Sequence, residues 1–380
     1  MAQTLEWTRA RQSRIVALIR QMVECESPSD SPEAVNRFVE LIGDTLAGEA
    51  KVKTFSGGKR YGRHLRAEFI LPGKKKSGQI LALGHSDTVW PMGTLKIMPF
   101  READGRLWGP GVLDMKAGVA FFIFAMRALR EMDVPVARKV ILQLNSDEEV
   151  GSHSSRPLTE DAAKKSVAVL VLEPGTGLAG KLKTARKGVG DFTVKVRGVA
   201  SHAGVDFSAG ANAIVELARQ IDRIAGFTDL SKGLTVSPGV IGGGTRSNVV
   251  PAEAEVVVDV RIARLRDEGV LAKNFLSLKP IDKRCKIEVT GGLNRPPMER
   301  SKGVVQLFQT ASRLANEFGV VLEESATGGG SDGNFTAALG IPTLDGLGAV
   351  GEGAHAVNES LLTNRIADRT ALMAKLVAAL

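Results

Sequence analysis

The sequence predicts an α/β protein, a mostly parallel sheet sandwiched by helices, with an inserted ferredoxin-like α+β domain. Three observations carry this. Short, almost wholly apolar runs such as 140–144 and 167–172 alternate with helical stretches, as expected of central strands covered on both faces. From about residue 187 the texture becomes strand–helix–strand–strand–helix–strand, the order of a ferredoxin-like unit. Beyond Gly291-Gly292 the first texture resumes, so 1–186 with 292–380 reads as one discontinuous domain and 187–291 as the insertion.

In chain order, apolar residues recur at helical spacing over 7–23, and the Pro/Ser-rich 27–32 breaks the pattern before a second helix over 33–46. Ser31 and Pro32 form an N-cap and first-turn pair for that helix. Strands follow at 51–55, 64–71 and 79–84. Lys74-Lys75-Lys76, after Pro72-Gly73 and between two strand-like runs, reads as a solvated hairpin tip. After Gly109-Pro110-Gly111 and a loop holding Asp114, 117–130 is a strongly apolar helix, followed by the strands 140–144 and 167–172. The insertion reads as strand 190–196, helix 211–224, strands 234–241 and 254–262, helix 268–276 and strand 286–290. A helix over 304–317, a glycine-rich stretch over 327–333 and a last helix over 365–379 complete the chain.

Composition narrows the function classes. With 380 residues, 43% hydrophobic and 24% charged, the chain can bury a sizeable core, and its length favours two domains. The net charge of +8 is spread along the chain with 5% aromatics, which argues against a nucleic-acid partner; a mildly positive field suits anionic substrates. The first residues lack a signal-peptide core, and no stretch approaches the roughly 18 apolar residues of a membrane span, so a soluble, cytoplasmic protein without a membrane partner is expected. Cys25 and Cys285, far apart and in no metal-type spacing, read as reduced thiols outside the chemistry.

In such sheets reactive groups gather beyond the carboxyl ends of the strands. His85 follows one apolar run, Glu148 and Glu149 a second, and Glu173 a third, while Asp87, Asp114 and His355 lie in loops. Any one of them has an ordinary reading as a structural histidine, a turn cap or a solvated acid. Together they read as the ligands of a two-zinc hydrolase. Zinc takes imidazole nitrogen and carboxylate oxygen, and two histidines with three or four carboxylates suit a binuclear centre that acidifies a water and polarises a carbonyl. Asp114, in Gly-Pro-Gly-Val-Leu-Asp-Met-Lys, is assigned the bridge, because glycines let backbone approach an ion closely. Of the adjacent pair, Glu149 is assigned to metal and Glu148 to proton transfer. Asp87 either orients His85 through its second ring nitrogen or braces the turn.

Nine segments, from Gly-His-Ser-Asp-Thr-Val at 84–89 through Gly-Pro-Gly-Val-Leu-Asp-Met-Lys at 109–116, Asn-Ser-Asp-Glu-Glu-Val-Gly-Ser at 145–152, Leu-Glu-Pro at 172–174, Ala-Ser-His-Ala-Gly at 200–204, Ser-Asn-Val-Val-Pro at 247–251, Asp-Val-Arg at 259–261 and Thr-Gly-Gly-Gly-Ser-Asp at 327–332 to the His355 loop, occur in one order. In these the chain resembles the zinc-dependent aminoacylase and carboxypeptidase metallopeptidases, most closely the bacterial glutamate carboxypeptidases of the carboxypeptidase G type. The resemblance implies a zinc-exopeptidase sandwich with an inserted dimerisation or lid domain. It implies one zinc on His85 and Glu173, another on Glu149 and His355, Asp114 shared, and a cis bond after Asp114. It further implies that His202 stabilises the oxyanion in the partner subunit's site, that Arg261 grips the substrate carboxylate, and that Asn248 and backbone at Gly330 touch substrate. The glycine run 328–330 lacks the Lys-Ser or Lys-Thr of a phosphate loop, and Asp332 reads as a loop brace.

Gly351-Glu352-Gly353-Ala354 departs from the glycine-aromatic setting of close relatives, and Arg295-Pro296 lies in a longer loop, leaving open whether Arg295 joins Arg261 on a carboxylate. The expectation is a homodimer with two Zn2+ per subunit, Co2+ or Mn2+ being possible substitutes. It would hydrolyse an amide or peptide bond beside a free α-carboxylate in a small peptide or N-acyl amino acid and release C-terminal glutamate. The rival is an N-acyl-amino-acid deacylase using the same metal centre. A catalytically inert binding module is a third reading, against which the intact Glu148 argues.

Overall fold

A computed structural model describes residues 3–74 and 76–380, and the chain divides into two compact units. One comprises Met1–Ala185, Arg300–Thr327 and Ser331–Leu380; the other comprises Arg186–Glu299 with Gly328–Gly330.

The first unit is built on a six-stranded sheet in the order Ala50–Phe55, His64–Phe69, Lys139–Asn145, Gln79–His85, Ser166–Val171, Thr343–Leu344. Its inner pairings are parallel, with Gln79–His85 between Lys139–Asn145 and Ser166–Val171, while the two strands at one edge run antiparallel. Side chains divide between the faces with period two, as pleating requires. Ile80, Ala82 and Leu142 join the helices Gln12–Glu24, Pro32–Thr45, Ala117–Glu131 and Ile366–Ala379 on one face; Leu81, Leu83, Ile141, Val169 and Val171 meet Ala162 and Ala163 of the helix Arg156–Lys164 on the other. Each fully buried Leu or Ile here contributes about 1.5–3 kcal/mol. Burial on both faces explains why these strands read as continuous apolar runs. It also fixes the register that sets His85 opposite Asn145 and ends the three central strands at one rim.

The second unit carries a four-stranded antiparallel sheet in the order Thr235–Gly243, Glu253–Ile262, Gly188–Arg197, Lys286–Arg295. The helices Ala213–Ala225 and Glu268–Leu276 pack on it through a separate core in which the Phe192 and Phe275 rings stack at 4.0 Å. Element order and strand order are those of a ferredoxin-like fold.

Local expectations changed in four places. The helix expected over 7–23 is two helices, Gln3–Ala10 and Gln12–Glu24, because Arg11 leaves helical geometry while the apolar spacing continues across it. Ser31 precedes the helix Pro32–Thr45, but its hydroxyl makes no capping bond. The lysine cluster is no hairpin tip: the strands on either side of it are separated by Lys139–Asn145, and Lys76 Nζ donates to the carbonyls of Pro72 and Val136. Lys75 lies outside the described residues. The helix Arg156–Lys164 and the hairpin of Arg101–Ala103 with Arg106–Trp108 were not anticipated. Among the described residues, no helix is long and apolar enough to cross a membrane.

Candidate metal centre

His85 is the last residue of its strand and is buried. Its Nδ1 lies 2.9 Å from the backbone carbonyl oxygen of Asp87, a group that only accepts, so Nδ1 carries the proton. In the neutral ring Nε2 then presents a lone pair toward Asp114 Oδ1 at 3.1 Å and Glu173 Oε1 at 3.7 Å. A lone pair facing two carboxylates is repulsive unless a cation or a second proton lies between them. His355 repeats the arrangement: its Nε2 is 3.3 Å from Asp114 Oδ2 and 3.3 Å from Glu149 Oε2. The two oxygens of Asp114 therefore face two different imidazoles. Donors sharing one tetrahedral ion at about 2.0–2.2 Å stand roughly 3.3–3.6 Å apart, and the observed separations bracket that value. Among the described residues, Glu149 Oε1 is buried without a hydrogen-bond donor facing it. Ligating atoms of His85, Glu148 and Glu173, and of His85, Asp114 and Glu149, lie within 4.8 Å of one another in each set. The donor set fits two cations.

The electrostatics agree. Burial opposes a charge on His85, but hydrogen bonding to Asp114 and the neighbouring glutamates outweigh it and hold the imidazole well above its ordinary range. Hydrogen bonds to Asp114 and Glu149 raise His355 to about 10. Asp114 is pushed up by burial, yet the hydrogen bonds from His355 and His85 prevail and keep it well below the usual carboxylate range. Metal ions and protons compete for the same imidazole lone pairs, so a setting that favours protons on these rings also favours cations.

The remaining candidates belong to the second unit. His202 Nδ1 accepts the backbone N–H groups of Gly204 and Val205, each at 3.1 Å, so Nε2 of this exposed imidazole bears the proton when the ring is neutral. Arg261 donates through Nε and Nη2 to Asp259 and through Nη1 to the Gly328 carbonyl at 3.3 Å. Asp259 thus engages the Nε–Nη2 edge of the guanidinium. The Asn248 carbonyl accepts the N–H of Ala203, and the Gly330 carbonyl accepts from Arg186 Nη1 at 2.9 Å. A Cβ at Gly330 would come within 2.8 Å of Cδ of the buried Arg295.

Residues 81–379 match the model of peptidase family M20/M25/M40. The chain belongs to this family. M20 enzymes are metallohydrolases, peptidases and amidohydrolases, that work through a dinuclear metal centre. This M20 chain is 30% identical over 352 residues to carboxypeptidase G2 of Pseudomonas sp. (strain RS-16), covering 90% of this chain and 83% of that one. It is 30% identical over 372 residues to a succinyl-diaminopimelate desuccinylase of Cereibacter sphaeroides (strain ATCC 17025 / ATH 2.4.3), covering 90% and 93% respectively. In fold it is similar to a tripeptidase from Staphylococcus aureus, with a TM-score of 0.78 at 20% identity and coverage of 97% of this chain and 99% of that one.

Several residues that shape the centre of this M20 protein were not visible in its sequence. Glu359 is fully buried; its Oε1 accepts the N–H of Leu113 at 2.8 Å and of Asp114 at 3.1 Å, and its Oε2 accepts from Gly111 N–H at 2.9 Å and Trp90 Nε1 at 2.7 Å. Gly111, at φ 71, allows that cradle to form, and a Cβ there would press into Thr88. The Asp114–Met115 peptide bond is cis, as the resemblance implies. Ser29 donates to Asp87 Oδ2 at 2.8 Å, and the same carboxylate accepts the N–H groups of Glu148 and Glu149 at 3.2 Å each. The Asp87 carboxylate thus braces the Glu148–Glu149 loop, 3.6 Å from His85 Nδ1, while its carbonyl meets the ring. Burial raises Asp87 to about 7, against the pull of His85. Asp332 accepts from Asn145 and Ser152, consistent with a loop brace.

Proposed function

We propose that this chain is a dinuclear zinc amidohydrolase that cleaves an amide or peptide bond beside a free α-carboxylate and releases C-terminal glutamate. The observation that carries the metal assignment is the Asp114 carboxylate held between His85 and His355. The likeness to carboxypeptidase G2 supports the glutamate choice.

His85 and Glu173 would hold one ion and His355 and Glu149 the other, with Asp114 shared. Two zinc ions bound there would supply Lewis acidity toward water and the scissile carbonyl. Glu148, beside His85 and Glu173, takes a proton from the attacking water and returns it to the departing amine nitrogen. Asp87 acts on chemistry at one remove, by fixing the backbone from which Glu148 and Glu149 project. His202, with its Nε2 proton, is assigned to the developing oxyanion, a donor placed where charge appears in the transition state. Arg261, held by Asp259, is assigned to the α-carboxylate, with Asn248 and the Gly330 backbone as further substrate contacts.

Likeness to succinyl-diaminopimelate desuccinylase and to an acetylornithine deacetylase of Klebsiella pneumoniae, 29% identical over 304 residues, supports a second reading: an N-acyl-amino-acid deacylase on the same centre. Hydrolysis rates of N-acylglutamates set against N-acetylornithine and N-succinyl-diaminopimelate separate the two. The glutamate series should lead; turnover confined to the basic amino acids would reject the carboxypeptidase reading.

A homodimer through the second unit is also proposed. Its edge strand Thr235–Gly243 exposes Val240 and Ile241, 67% and 62% uncovered, and on its outer side meets no further strand among the described residues. Sedimentation should give twice the chain mass, and Ile241→Lys should lower it; a monomeric wild type would refute this.

A further inference from the structure

Among the buried ionisable groups, His64 has no part in the roles assigned above. It opens the strand His64–Phe69 and is fully buried. That strand pairs with Lys139–Asn145, Leu65 opposite Leu144, so the imidazole stands where the neighbouring strand runs out into the loop carrying Glu148 and Glu149. Both ring nitrogens are spent on that loop. Nδ1 lies 3.1 Å from the Ser146 backbone nitrogen and 3.0 Å from Ser146 Oγ, whose own proton goes to the Gly62 carbonyl at 2.6 Å. Nδ1 is therefore the acceptor, and Nε2 carries the proton. Nε2 donates to Ser154 Oγ at 3.0 Å, Ser154 Oγ donates to Asp147 Oδ2 at 2.8 Å, and the same Asp147 oxygen accepts the Ser154 N–H at 2.7 Å.

One ring thus grips residues 146 and 154, on either side of the two glutamates, and reaches the residue just before Glu148 through a serine. Between these points the chain turns sharply: the Ser152 N–H returns to the Asp147 carbonyl at 2.7 Å, and Ser152 itself sits at φ 56. Asp87 holds the same loop independently, through the N–H groups of Glu148 and Glu149. A backbone tied at both ends and in between has little freedom to swing the carboxylates it carries. Burial lowers the His64 pKa, against Asp147 and Asp332, and so favours the neutral ring that this pattern of donors and acceptors requires.

We propose that His64 is a positioning residue for the hydrolytic reaction: its imidazole, acting through Ser146, Ser154 and Asp147, sets where Glu148 stands relative to the metal centre. The inference rests on Glu148 being the proton-transfer group.

The test is a steady-state assay of the zinc-loaded full chain on whichever of the N-acylglutamates, N-acetylornithine and N-succinyl-diaminopimelate the wild type cleaves fastest. His64→Leu removes both ring contacts, whereas His64→Asn keeps an acceptor at the distance of Nδ1 for the Ser146 N–H. With two zinc ions confirmed per chain, His64→Leu should lower kcat by about 10–100-fold, the usual cost of an outer-shell partner. KM should stay within about twofold, as expected when only the transition state loses an interaction, and His64→Asn should recover most of the lost kcat. Ser154→Ala breaks the path to Asp147 without touching the strand, so it carries the test should His64→Leu not fold; its kcat should fall as well, with KM again unchanged. Wild-type kcat in His64→Leu or in Ser154→Ala, a loss expressed in KM alone, or a loss that His64→Asn does not repair would overturn the positioning role while leaving that of Glu148 intact. Full activity of Glu148→Gln in the same assay would remove the proton-transfer reading, and this inference with it.

Discussion

Glu359 Oε1 lies 3.1 Å from the backbone nitrogen of Asp114 and accepts its hydrogen, so the carboxylate that faces both imidazoles stands on a loop pinned by a second, buried carboxylate. The bond acts on the main chain and not on the Asp114 side chain, which leaves both Asp114 oxygens available to cations. Burial raises Glu359 above the usual carboxylate range, opposed by its three backbone donors and Trp90.

Glu359→Gln keeps the size and one acceptor oxygen but turns an NH2 group toward backbone or indole N–H donors. Zinc affinity and kcat/KM should each fall by about 10–100-fold, the usual cost of an outer-shell partner. Isothermal titration of the chelated variant and a steady-state assay measure both. Wild-type values in the two would show that the cradle contributes nothing to the centre.

Glu148→Gln should lower kcat by about 10²–10⁴-fold, the span of general acid–base contributions. Zinc content, read by atomic emission, should remain at two per chain, because the assigned ligands are untouched. Full activity in this variant would remove Glu148 from the proton-transfer role.

The metal-free protein should lose stability as pH rises. His355 is raised from 6.5 to about 10, and His85 also lies well above its ordinary value, so their contribution is complete below about pH 6.5 and vanishes as pH climbs through 10. Zinc replaces those protons and binds more tightly as they leave. Thermal melts of chelated and zinc-loaded protein between pH 6.5 and 10 should therefore diverge with increasing pH. A constant gap would contradict the shared proton and metal site.

Much of this centre is legible in the sequence because of the sheet. His85, Glu148, Glu149 and Glu173 follow apolar runs whose ends the parallel register brings to one rim. Glu359 carries no such mark: its partners are backbone N–H groups, the same at every position whatever the side chain, and it lies in the polar stretch Asn358-Glu359-Ser360. Ser29 is hidden for another reason, its partner Asp87 being distant in sequence. The hairpin Arg101–Ala103/Arg106–Trp108 did have a signal. Asp104 and Gly105 at its turn both adopt positive φ, 54 and 70, as an Asp-Gly pair in a two-residue hairpin does. Its strands were too short to show alternation. The lysine cluster misled because a composition typical of turns does not reveal which strands are neighbours in the sheet.

The central claim is that Asp114 is shared between two cations held by His85, Glu173, Glu149 and His355. Zinc titration of the chelated chain, with metal counted per chain in wild type and Asp114→Asn, tests it most directly. The account predicts two ions in the wild type, with activity restored as the second binds, and fewer than two in the variant, whose kcat/KM should fall by more than the roughly 10–100-fold cost of an outer-shell change. Two tightly held ions in Asp114→Asn, or one ion sufficing for full wild-type activity, would contradict it.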